Sequence, residues 1–289
     1  MITSMKVLHL SCGGDIGGAK THILSLISEL GKHIQVSLVS LRKSPFASDA
    51  AAMGIDTRII RTRFFAADLI RLVRIIRRGR FDIVHAHGSK ANVYLVLARL
   101  FTRFIPVTTV HSDYRGDYLH SFLKHYTFGV TNRIALQFIG NYIAVSGNFK
   151  RMLVERGFPP SRIHTVYNGM RFDREFSVLS RNDFYAKHQI HSQPGDILIG
   201  IVARLHPVKG VEIFVKAAAH VLKKQPKARF IICGDGDQRK NLELLARSSG
   251  ILHRLHFLGH VEAPWEALQN LDINVLTSYS ESFPYAILE

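Results

Sequence analysis

The chain has 289 residues, of which 47% are hydrophobic and 21% are charged, and this composition excludes a disordered, collagenous or coiled-coil protein. Lysine and arginine outnumber aspartate and glutamate by 38 to 22, which gives a formal net charge of +16. Residues 1–170 hold 23 of the basic and 9 of the acidic residues. The first part of the chain is therefore a basic module, and it favours an anionic partner: nucleic acid, an anionic membrane or a phosphorylated small molecule.

Cysteine content and hydropathy indicate where in the cell the protein is located. The two cysteines, Cys12 and Cys233, exclude a disulfide framework, and each follows a short apolar run, so both are predicted to be buried. Arg99 and Arg103 interrupt the best candidate for a membrane-spanning helix. The apolar run 7–10 is too short for the core of a signal peptide. We expect a cytoplasmic protein, with peripheral attachment to the inner face of the cell membrane left open.

Apolar strands alternate with amphipathic helices along the first part of the chain. Strands are predicted over Lys6–Leu10, Gln35–Leu41, Asp56–Ile60, Asp82–Ala86, Pro106–Val110, Tyr142–Val145 and Ile163–Tyr167. Helices are predicted over His22–Leu30, Ala66–Arg78, Lys90–Phe101, Tyr118–Ile139 and Asn148–Glu155. This alternation is typical of a parallel sheet that is covered on both faces.

A polar stretch, 168–196, interrupts the alternation and is predicted to be a domain junction. Four strands then follow, over Leu198–Ala203, Arg229–Cys233, Leu255–Leu258 and Ile273–Leu276, with helices at Val211–Lys224, Gln238–Arg247 and Pro264–Asn270. The prediction is an α/β protein with two facing Rossmann-like domains, 1–190 and 191–289. The sequence ends inside a predicted element, so we expect the second domain to be incomplete.

Two loops that follow predicted strands carry groups suited to phosphate binding. Gly17 and Gly18 lie in a turn between a strand and a helix, where free backbone N–H groups suit a phosphate or a closely approaching sugar. Arg204 and Lys209 combine a forked set of donors with a mobile point charge, a pairing suited to a diphosphate. Taken alone, the second motif fits a solvated basic loop equally well.

Two acidic residues, Glu281 and Glu289, flank a predicted helix entry at the end of the sequence. Their spacing along a helix suits contact with different parts of one long ligand. It does not suit the acid and base of a hydrolysis at a single bond. Elsewhere, His85 and His87 share one face of a predicted strand, but a zinc site would need further ligands, so a cleft or core role is favoured and no metal site is predicted.

In their order and spacing these motifs resemble glycosyltransferase family 4, the retaining nucleotide-sugar transferases of the GT-B fold, which has two facing Rossmann-like domains. The resemblance covers nearly the whole chain. It rests on the turn at Gly17-Gly18, the segments 82–88 and 109–113, Ala144-Val145-Ser146, Asn168-Gly169, the loop 204–210, Gly234-Asp235-Gly236 and the segment 281–289.

The resemblance implies a role for each matched residue. Arg204 and Lys209 match the pair that binds the donor diphosphate, Glu289 matches the acid that holds the nucleotide ribose, and Glu281 matches the acid that faces the donor sugar. His111 matches a histidine near the reacting carbon and is assigned, with Arg204, Lys209 and Glu281, to the catalytic set. The remaining donor contacts that the resemblance implies are Gly17, Gly18, Gly234, Ser282, Phe283, Pro284 and Tyr285.

The implied activity is retaining transfer of a hexose or acetamidohexose from a nucleotide-sugar donor to a glycan or lipid-linked glycan, in the assembly of a surface or extracellular polysaccharide. No cofactor or metal is expected, because cationic side chains and helix N-termini can stabilise the departing diphosphate. The leaving phosphate would take the proton of the acceptor on the same face. An inverting enzyme would instead need a general base, for which His111 is the first candidate.

Two other functions stay open. A truncated, inactive homologue could act as a partner subunit, and the basic charge fits a nucleic-acid-binding protein, although no recognised binding module is present and no nucleic-acid partner is predicted. An arginine-rich helix, with Arg71, Arg74, Arg77 and Arg78 on one side, fits an anionic membrane surface. It fits equally well a surface helix with a solvated arginine face, which its periodicity favours.

Overall fold

The computed structural model describes residues 5–13, 18–111, 113, 130–169, 179–191, 193–261, 263–281 and 283–288. Contacts divide the chain into two compact units, Met1–Met170 and Arg171–Glu289. The predicted domain boundary, after residue 190, lies further along the chain. Within the second unit, the Arg181 guanidinium donates a 2.6 Å hydrogen bond to the Asp272 carboxylate, so the segment around Arg181 packs with that unit.

The first unit is built on a seven-stranded sheet in which every pair of neighbouring strands is parallel, in the order β3-β2-β1-β4-β5-β6-β7. The strands are β1 Lys6–Ser11, β2 Gln35–Ser40, β3 Asp56–Ile59, β4 Ile83–His87, β5 Ile105–Val110, β6 Asn141–Ala144 and β7 Ile163–Thr165. The helices are α1 Gly18–Leu30, α2 Pro45–Ala52, α3 Phe65–Gly79, α4 Ser89–Arg99, α5 Val130–Phe138 and α6 Gly147–Glu155. The order confirms the Rossmann-like expectation for this unit.

Helices cover both faces of this sheet. Successive residues of a strand point to opposite faces, and in β2 the neighbours Leu38 and Val39 belong to different apolar clusters. Leu38 packs with Ile27 of α1, whereas Val39 packs with Leu72 of α3 and Leu95 of α4. All five side chains are at most 1% exposed. Burial on both faces explains why the strands are continuous apolar runs in the sequence.

The second unit has a four-stranded parallel sheet in the order β10-β9-β8-β11. Its strands are β8 Ile197–Val202, β9 Ala228–Cys233, β10 Leu255–Gly259 and β11 Ile273–Asn274. Its helices are α7 Arg181–Lys187, α8 Val211–Leu222, α9 Arg239–Ser248, α10 Pro264–Leu268 and α11 Tyr285–Leu288. Ile231 and Ile232 of β9 lie in separate apolar clusters, so this sheet is also covered on both faces.

Two helices were not predicted from the sequence. In α2, Ser44 accepts a hydrogen bond from the N–H of Ala47 and Pro45 occupies the first turn, which are the standard signals of a helix start. In α7, Ser180 caps the helix and Phe184 is fully buried. The polar stretch 168–196, predicted to be a domain junction, therefore contains a short helix over 181–187, which the buried Phe184 anchors.

Other predicted elements are present, with ends displaced by a few residues. The predicted helix Tyr118–Ile139 appears as α5 from Val130 onward, and its earlier part lies outside the described residues. Cys233 is buried as predicted, but Cys12 is only half-buried because it follows the end of β1. Across the described part of the chain, no helix is long and apolar enough to cross a membrane.

Candidate functional site

The first candidate site lies in the second unit, where β8 and β11 end. The chain leaves β8 toward β9 on one side, and β11 later pairs with β8 on the other side, so the strand order reverses between β8 and β11. In open parallel sheets, the crevice at the carboxyl ends of such a pair of strands is the usual ligand position. The loop 204–210 follows β8, and the loop 275–281 follows β11.

Glycine allows these two loops to pack closely. After a short 3-10 helix, Pro207–Lys209, the chain enters α8 through Gly210, whose φ of 57° is left-handed. A Cβ atom at Gly210 would lie 2.3 Å from the carbonyl oxygen of Thr277. The Thr277 hydroxyl donates to the carbonyl oxygen of Lys209 at 3.1 Å, and the N–H of Tyr279 donates to the carbonyl oxygen of Val208 at 2.9 Å. The backbone therefore fixes one loop against the other.

The packed loops bring Lys209 and Glu281 together. The Lys209 ammonium lies 2.5 Å from Glu281 Oε1, and both side chains are partly buried. The Ser278 hydroxyl donates a 2.6 Å hydrogen bond to the same carboxylate oxygen. The structure thus joins two of the predicted catalytic residues into one cluster, which presents a cation, an anion and a hydroxyl at the end of the sheet.

Arg204 is the other predicted cation of this site, and it is exposed. Among the described residues, no hydrogen bond or ion pair engages its guanidinium. A forked donor without a partner, beside the partly buried Lys209 of the same loop, is suited to two oxygen atoms of a phosphate group. Phosphate binding by Arg204 and Lys209 stays a prediction.

Gly234 has a packing function at the end of β9. Its φ is 139°, and a Cβ atom there would lie 1.9 Å from the carbonyl oxygen of Ala203. Its N–H donates to the carbonyl oxygen of Gly259 at 2.7 Å. Only glycine allows the β9 end to approach the β8 loop this closely. Contact between Gly234 and a donor substrate stays a prediction.

The end of the described chain packs beside β11. Tyr285 is buried and begins α11, Phe283 and Pro284 are half-buried, and Asn274 Nδ2 donates to the carbonyl oxygen of Ala286 at 2.6 Å. This segment therefore lies next to the strand whose loop carries Glu281. The remaining predicted donor contacts, Gly17, Ser282 and Glu289, lie outside the described residues.

The second candidate site lies in the first unit, at the carboxyl ends of β1, β4 and β5. His111 directly follows β5, and its Nε2 lies 3.3 Å from Nδ1 of His87 on β4. Its ring packs edge-on against the ring of His22 on α1, with centroids 5.0 Å apart. Gly18 is the first residue of the same helix. The structure therefore brings His111 and the start of α1 to the same edge of the sheet.

Burial keeps this histidine group neutral. Desolvation and, to a smaller extent, the neighbouring His22 lower the pKa of His111 from 6.5 to about 3. Desolvation lowers the pKa of His22 to about 4, although a hydrogen bond with Asn168 opposes the shift. At neutral pH, His111 therefore presents an uncharged imidazole, which can donate one hydrogen bond and accept another.

Sequence reasoning missed two members of this group, His9 and His22. His9 interrupts the apolar run of β1, and the parallel register places it opposite His85 of β4. Because β1 and β4 are adjacent in Rossmann-like sheets, a histidine in each strand was the available signal. His85 and His87 are both buried, as the core interpretation expects.

Two units, each with a parallel sheet that helices cover on both faces, have the architecture of GT-B glycosyltransferases. Residues 16–174 match the sequence model of Glycosyltransferase Family 4, and residues 184–289 match that of Glycosyl transferases group 1. The chain belongs to glycosyltransferase family 4, and it is a glycosyltransferase.

Known relatives and structures are similar over nearly the whole chain. The O-antigen biosynthesis glycosyltransferase WclY of Escherichia coli is 24% identical, over 99% of this chain and 77% of the relative. A Campylobacter jejuni α-1,4-N-acetyl-D-galactosaminyltransferase, whose named substrate is a glycan on diphosphate-undecaprenol, is 23% identical over 99% of this chain and 76% of its own. HepE of Anabaena, solved with UDP-glucose, has a TM-score of 0.78 and 20% identity, over 96% of this chain and 75% of HepE.

Proposed function

We propose that this glycosyltransferase moves a hexose or acetamidohexose from a UDP-sugar to a lipid-linked glycan during assembly of a surface polysaccharide. The cluster of Lys209 and Glu281 at the carboxyl ends of β8 and β11, with the exposed Arg204 in the same loop as Lys209, carries the proposal. The name of the Campylobacter relative supports the lipid-linked acceptor, WclY supports polysaccharide assembly, and the UDP-glucose in HepE supports uridine as the base.

The proposed chemistry follows the charge that develops at the donor. As the anomeric C–O bond breaks, the sugar becomes cationic and the departing diphosphate gains negative charge. Arg204 and Lys209 stabilise that negative charge more in the transition state than in the ground state, which lowers the barrier without a metal ion in this step. Donor binding places a new anion beside Lys209, so its ammonium is then shared between the diphosphate and Glu281.

Glu281 faces the sugar in this proposal, and its carboxylate also orients Lys209. The 2.5 Å contact to Nζ and the 2.6 Å hydrogen bond from Ser278 hold Oε1 in place. The other carboxylate oxygen is then the one that meets the sugar hydroxyls. Glu281→Gln keeps the size of the side chain but removes the charge, so we expect turnover to fall more than UDP affinity does.

Retention of configuration is proposed together with transfer of the acceptor proton to the leaving phosphate. His111 then orients a sugar through hydrogen bonds, for which its neutral imidazole is suited. Proton NMR of the anomeric signal in the first product formed measures the outcome directly. An axial product from an axial donor supports retention, whereas inversion would assign His111 the role of general base.

Nucleotide binding is tested by the thermal midpoint and by calorimetric titration with UDP, GDP and ADP. A ligand that binds the folded protein raises the midpoint by mass action. We expect UDP to raise it most. Arg204→Ala and Lys209→Ala should each weaken UDP binding about 10- to 100-fold, the usual value of a hydrogen bond to a charged group. Lys216→Ala, which removes an exposed lysine from α8, is the matched control.

Each result has a distinct meaning. Unchanged UDP affinity and turnover in Arg204→Ala and Lys209→Ala would contradict the assigned roles. UDP binding without transfer to any undecaprenol-linked acceptor would favour the inactive partner subunit. A preference for duplex DNA over UDP, with a steep dependence on salt, would favour the nucleic-acid-binding alternative.

We further propose that α3 holds the protein at an anionic membrane surface, where a lipid-linked acceptor is located. Leu72 and Ile76 bury one face of the helix, while Arg71 and Arg74 are exposed on another. Phe64, immediately before the helix, is 67% exposed. Exposed arginines beside an exposed aromatic ring are typical of interfacial helices.

Vesicle sedimentation tests the membrane proposal. We expect the unmodified protein to bind phosphatidylglycerol vesicles and not phosphatidylcholine vesicles. The double variant Arg71→Glu/Arg74→Glu should lose the binding to phosphatidylglycerol vesicles. The double variant Lys216→Glu/Lys240→Glu makes the same change of net charge in the second unit and should retain binding. Equal loss in both double variants would mean that net charge, and not α3, drives the association.

A further inference from the structure

Three buried histidines, His9 of β1 with His85 and His87 of β4, lie on one face of the first sheet. The β1–β4 register pairs His9 with His85, and His87 follows two residues later, so all three side chains point the same way. Their exposed fractions are 0%, 4% and 1%. One nitrogen from each ring lies within 4.8 Å of the other two. Within the described ranges, this is the one group of three or more histidine, cysteine or acidic side chains placed this way.

Two of the rings already have an outer hydrogen-bond partner. Nε2 of His85 lies 2.7 Å from the Thr109 hydroxyl, and Nδ1 of His87 lies 3.3 Å from Nε2 of His111. These contacts leave Nδ1 of His85 and Nε2 of His87 for the centre of the cluster. Histidine ligands of metal ions almost always use their second nitrogen in this way, because the outer hydrogen bond fixes the tautomer and the ring orientation.

His9 completes the set. Its Nδ1 lies 3.0 Å from Nε2 of His87, close to the separation of about 3.4 Å between two nitrogen ligands of a tetrahedral ion. Its Nε2 is buried and has no hydrogen-bond partner among the residues that the structure describes.

The three rings are in the protonation state that metal binding requires. Burial, with a smaller contribution from His22, lowers the pKa of His9 to about 3. Burial is also the largest cause that lowers the pKa of His85 and His87, and neighbouring histidines add to it. Each ring is therefore neutral near pH 7 and has a lone pair available.

We propose that His9, His85 and His87 bind one late first-row transition-metal ion of the Zn²⁺ class and so cross-link β1 and β4. Neutral imidazole is the ligand that these ions prefer over Mg²⁺ and Ca²⁺. To reach Zn–N distances of about 2.0–2.1 Å, the most distant nitrogens must approach each other by at most about 1.4 Å, which small rotations of the side chains supply. The argument for this site does not rest on the donor chemistry proposed above.

Metal ligation would also set the tautomer of His87. With Nε2 bound to the ion, the ring proton must be on Nδ1, which then donates to Nε2 of His111. The proton of the neutral His111 is in turn confined to its Nδ1. The proposed ion would therefore fix the hydrogen-bonding direction of the histidine at the edge of the sheet, through His87.

Titration of the chelator-stripped protein with Co²⁺ and Zn²⁺ tests the proposal without any substrate. We expect one equivalent of Co²⁺ to give the visible spectrum of a tetrahedral ion, Zn²⁺ to displace it, and Zn²⁺ to raise the thermal midpoint of the first unit. His9→Asn and His85→Asn should lose the spectrum and the shift. His164→Asn, which removes an exposed histidine of β7, should retain both.

Anomalous diffraction at the cobalt edge, on crystals of the unmodified chain, covers the case in which a variant fails to fold. A peak bonded to the three rings would support the site. Absence of stoichiometric Co²⁺ and Zn²⁺ binding by the unmodified protein would overturn the proposal. Binding that survives in folded His9→Asn and His85→Asn, or an anomalous peak elsewhere, would overturn it equally.

Discussion

A buried ion pair in the second unit gives the sharpest prediction of stability. The Arg229 guanidinium of β9 donates to Oδ2 of Asp196 from Nε at 3.0 Å and from Nη2 at 2.8 Å. The two side chains are only 5% and 3% exposed. Arg254 donates to the other carboxylate oxygen at 3.3 Å, and the N–H of Gln193 donates to Oδ2 at 2.9 Å. This carboxylate therefore satisfies several donors just before β8 begins.

Asp196→Asn should reduce the free energy of unfolding of the second unit by about 3–5 kcal/mol. The variant keeps the shape of the side chain but leaves the buried charge of Arg229 without its counterion, and that loss, not the net value of the pair, sets the size of the effect. A unit of this size has a total stability of about 6–18 kcal/mol. The expected loss is therefore a large fraction of the whole.

Fluorescence during urea unfolding measures this change selectively, because the one tryptophan of the chain, Trp265, lies in α10 of the second unit. Glu243→Gln is the matched control. It breaks the 2.8 Å pair with Arg239 on α9, where both side chains are about one third or more exposed, and should cost at most about 0.5 kcal/mol.

The double variant Asp196→Leu/Arg229→Met distinguishes two causes of the lost stability, poorer packing and an unpaired buried charge. Replacement of both partners with apolar residues should recover most of the stability, since no buried charge is then left alone. The reasoning would be refuted if Asp196→Asn cost less than about 1 kcal/mol, or no more than Glu243→Gln. Failure of the double variant to recover would show that packing at this position dominates.

Three further predictions concern other parts of the fold. Gly210→Ala should destabilise the second unit and weaken UDP binding, because the added Cβ would lie 2.3 Å from the Thr277 carbonyl oxygen. Gly250 is also at positive φ but has open space around it, so Gly250→Ala should reduce the free energy of unfolding by only about 1 kcal/mol in urea titration. Acid should destabilise the second unit: burial alone would raise the pKa of Asp272, but the Arg181 hydrogen bond and the Leu198 N–H outweigh it and hold the pKa below the usual value. As the pH falls, Asp272 is therefore protonated in the unfolded chain before it is protonated in the folded protein. Its contribution to the free energy of unfolding is complete above about pH 4 and is lost as the pH falls further. Urea midpoints measured by fluorescence that stayed constant from pH 5 to pH 3 would contradict this. Leu72→Ala, at a fully buried position in α3, should cost the first unit about 2–5 kcal/mol in calorimetry and leave the tryptophan transition unchanged.

Local sequence patterns predicted most of the regular elements, because both sheets are parallel and buried on both faces. Such strands are short apolar runs, and the helices between them have one apolar face. The pattern fails for α2 and α7, which are only 8 and 7 residues long. Too few apolar positions lie in so short a helix to define a period, so the local signals were the capping serines and, in α2, Pro45 in the first turn.

The histidine cluster could be predicted only in part from local sequence patterns. A period of two residues places His85 and His87 on one face of a strand, and sequence alone can establish that much. Their contact with His9 joins residues 78 positions apart, from His9 to His87. It depends on which strand lies beside β4 and in which register, and both are properties of the folded sheet.

The same division holds at the donor site. Local patterns in the sequence establish which chemical groups are available: a forked cation at Arg204, a mobile cation at Lys209 and a carboxylate at Glu281, each in a loop that follows an apolar strand. The contact between Lys209 and Glu281, which are 72 positions apart, depends on the folded sheet. The two side chains meet because β11 pairs with β8 across the reversal of strand order, and close packing at Gly210 then sets the distance between the two loops.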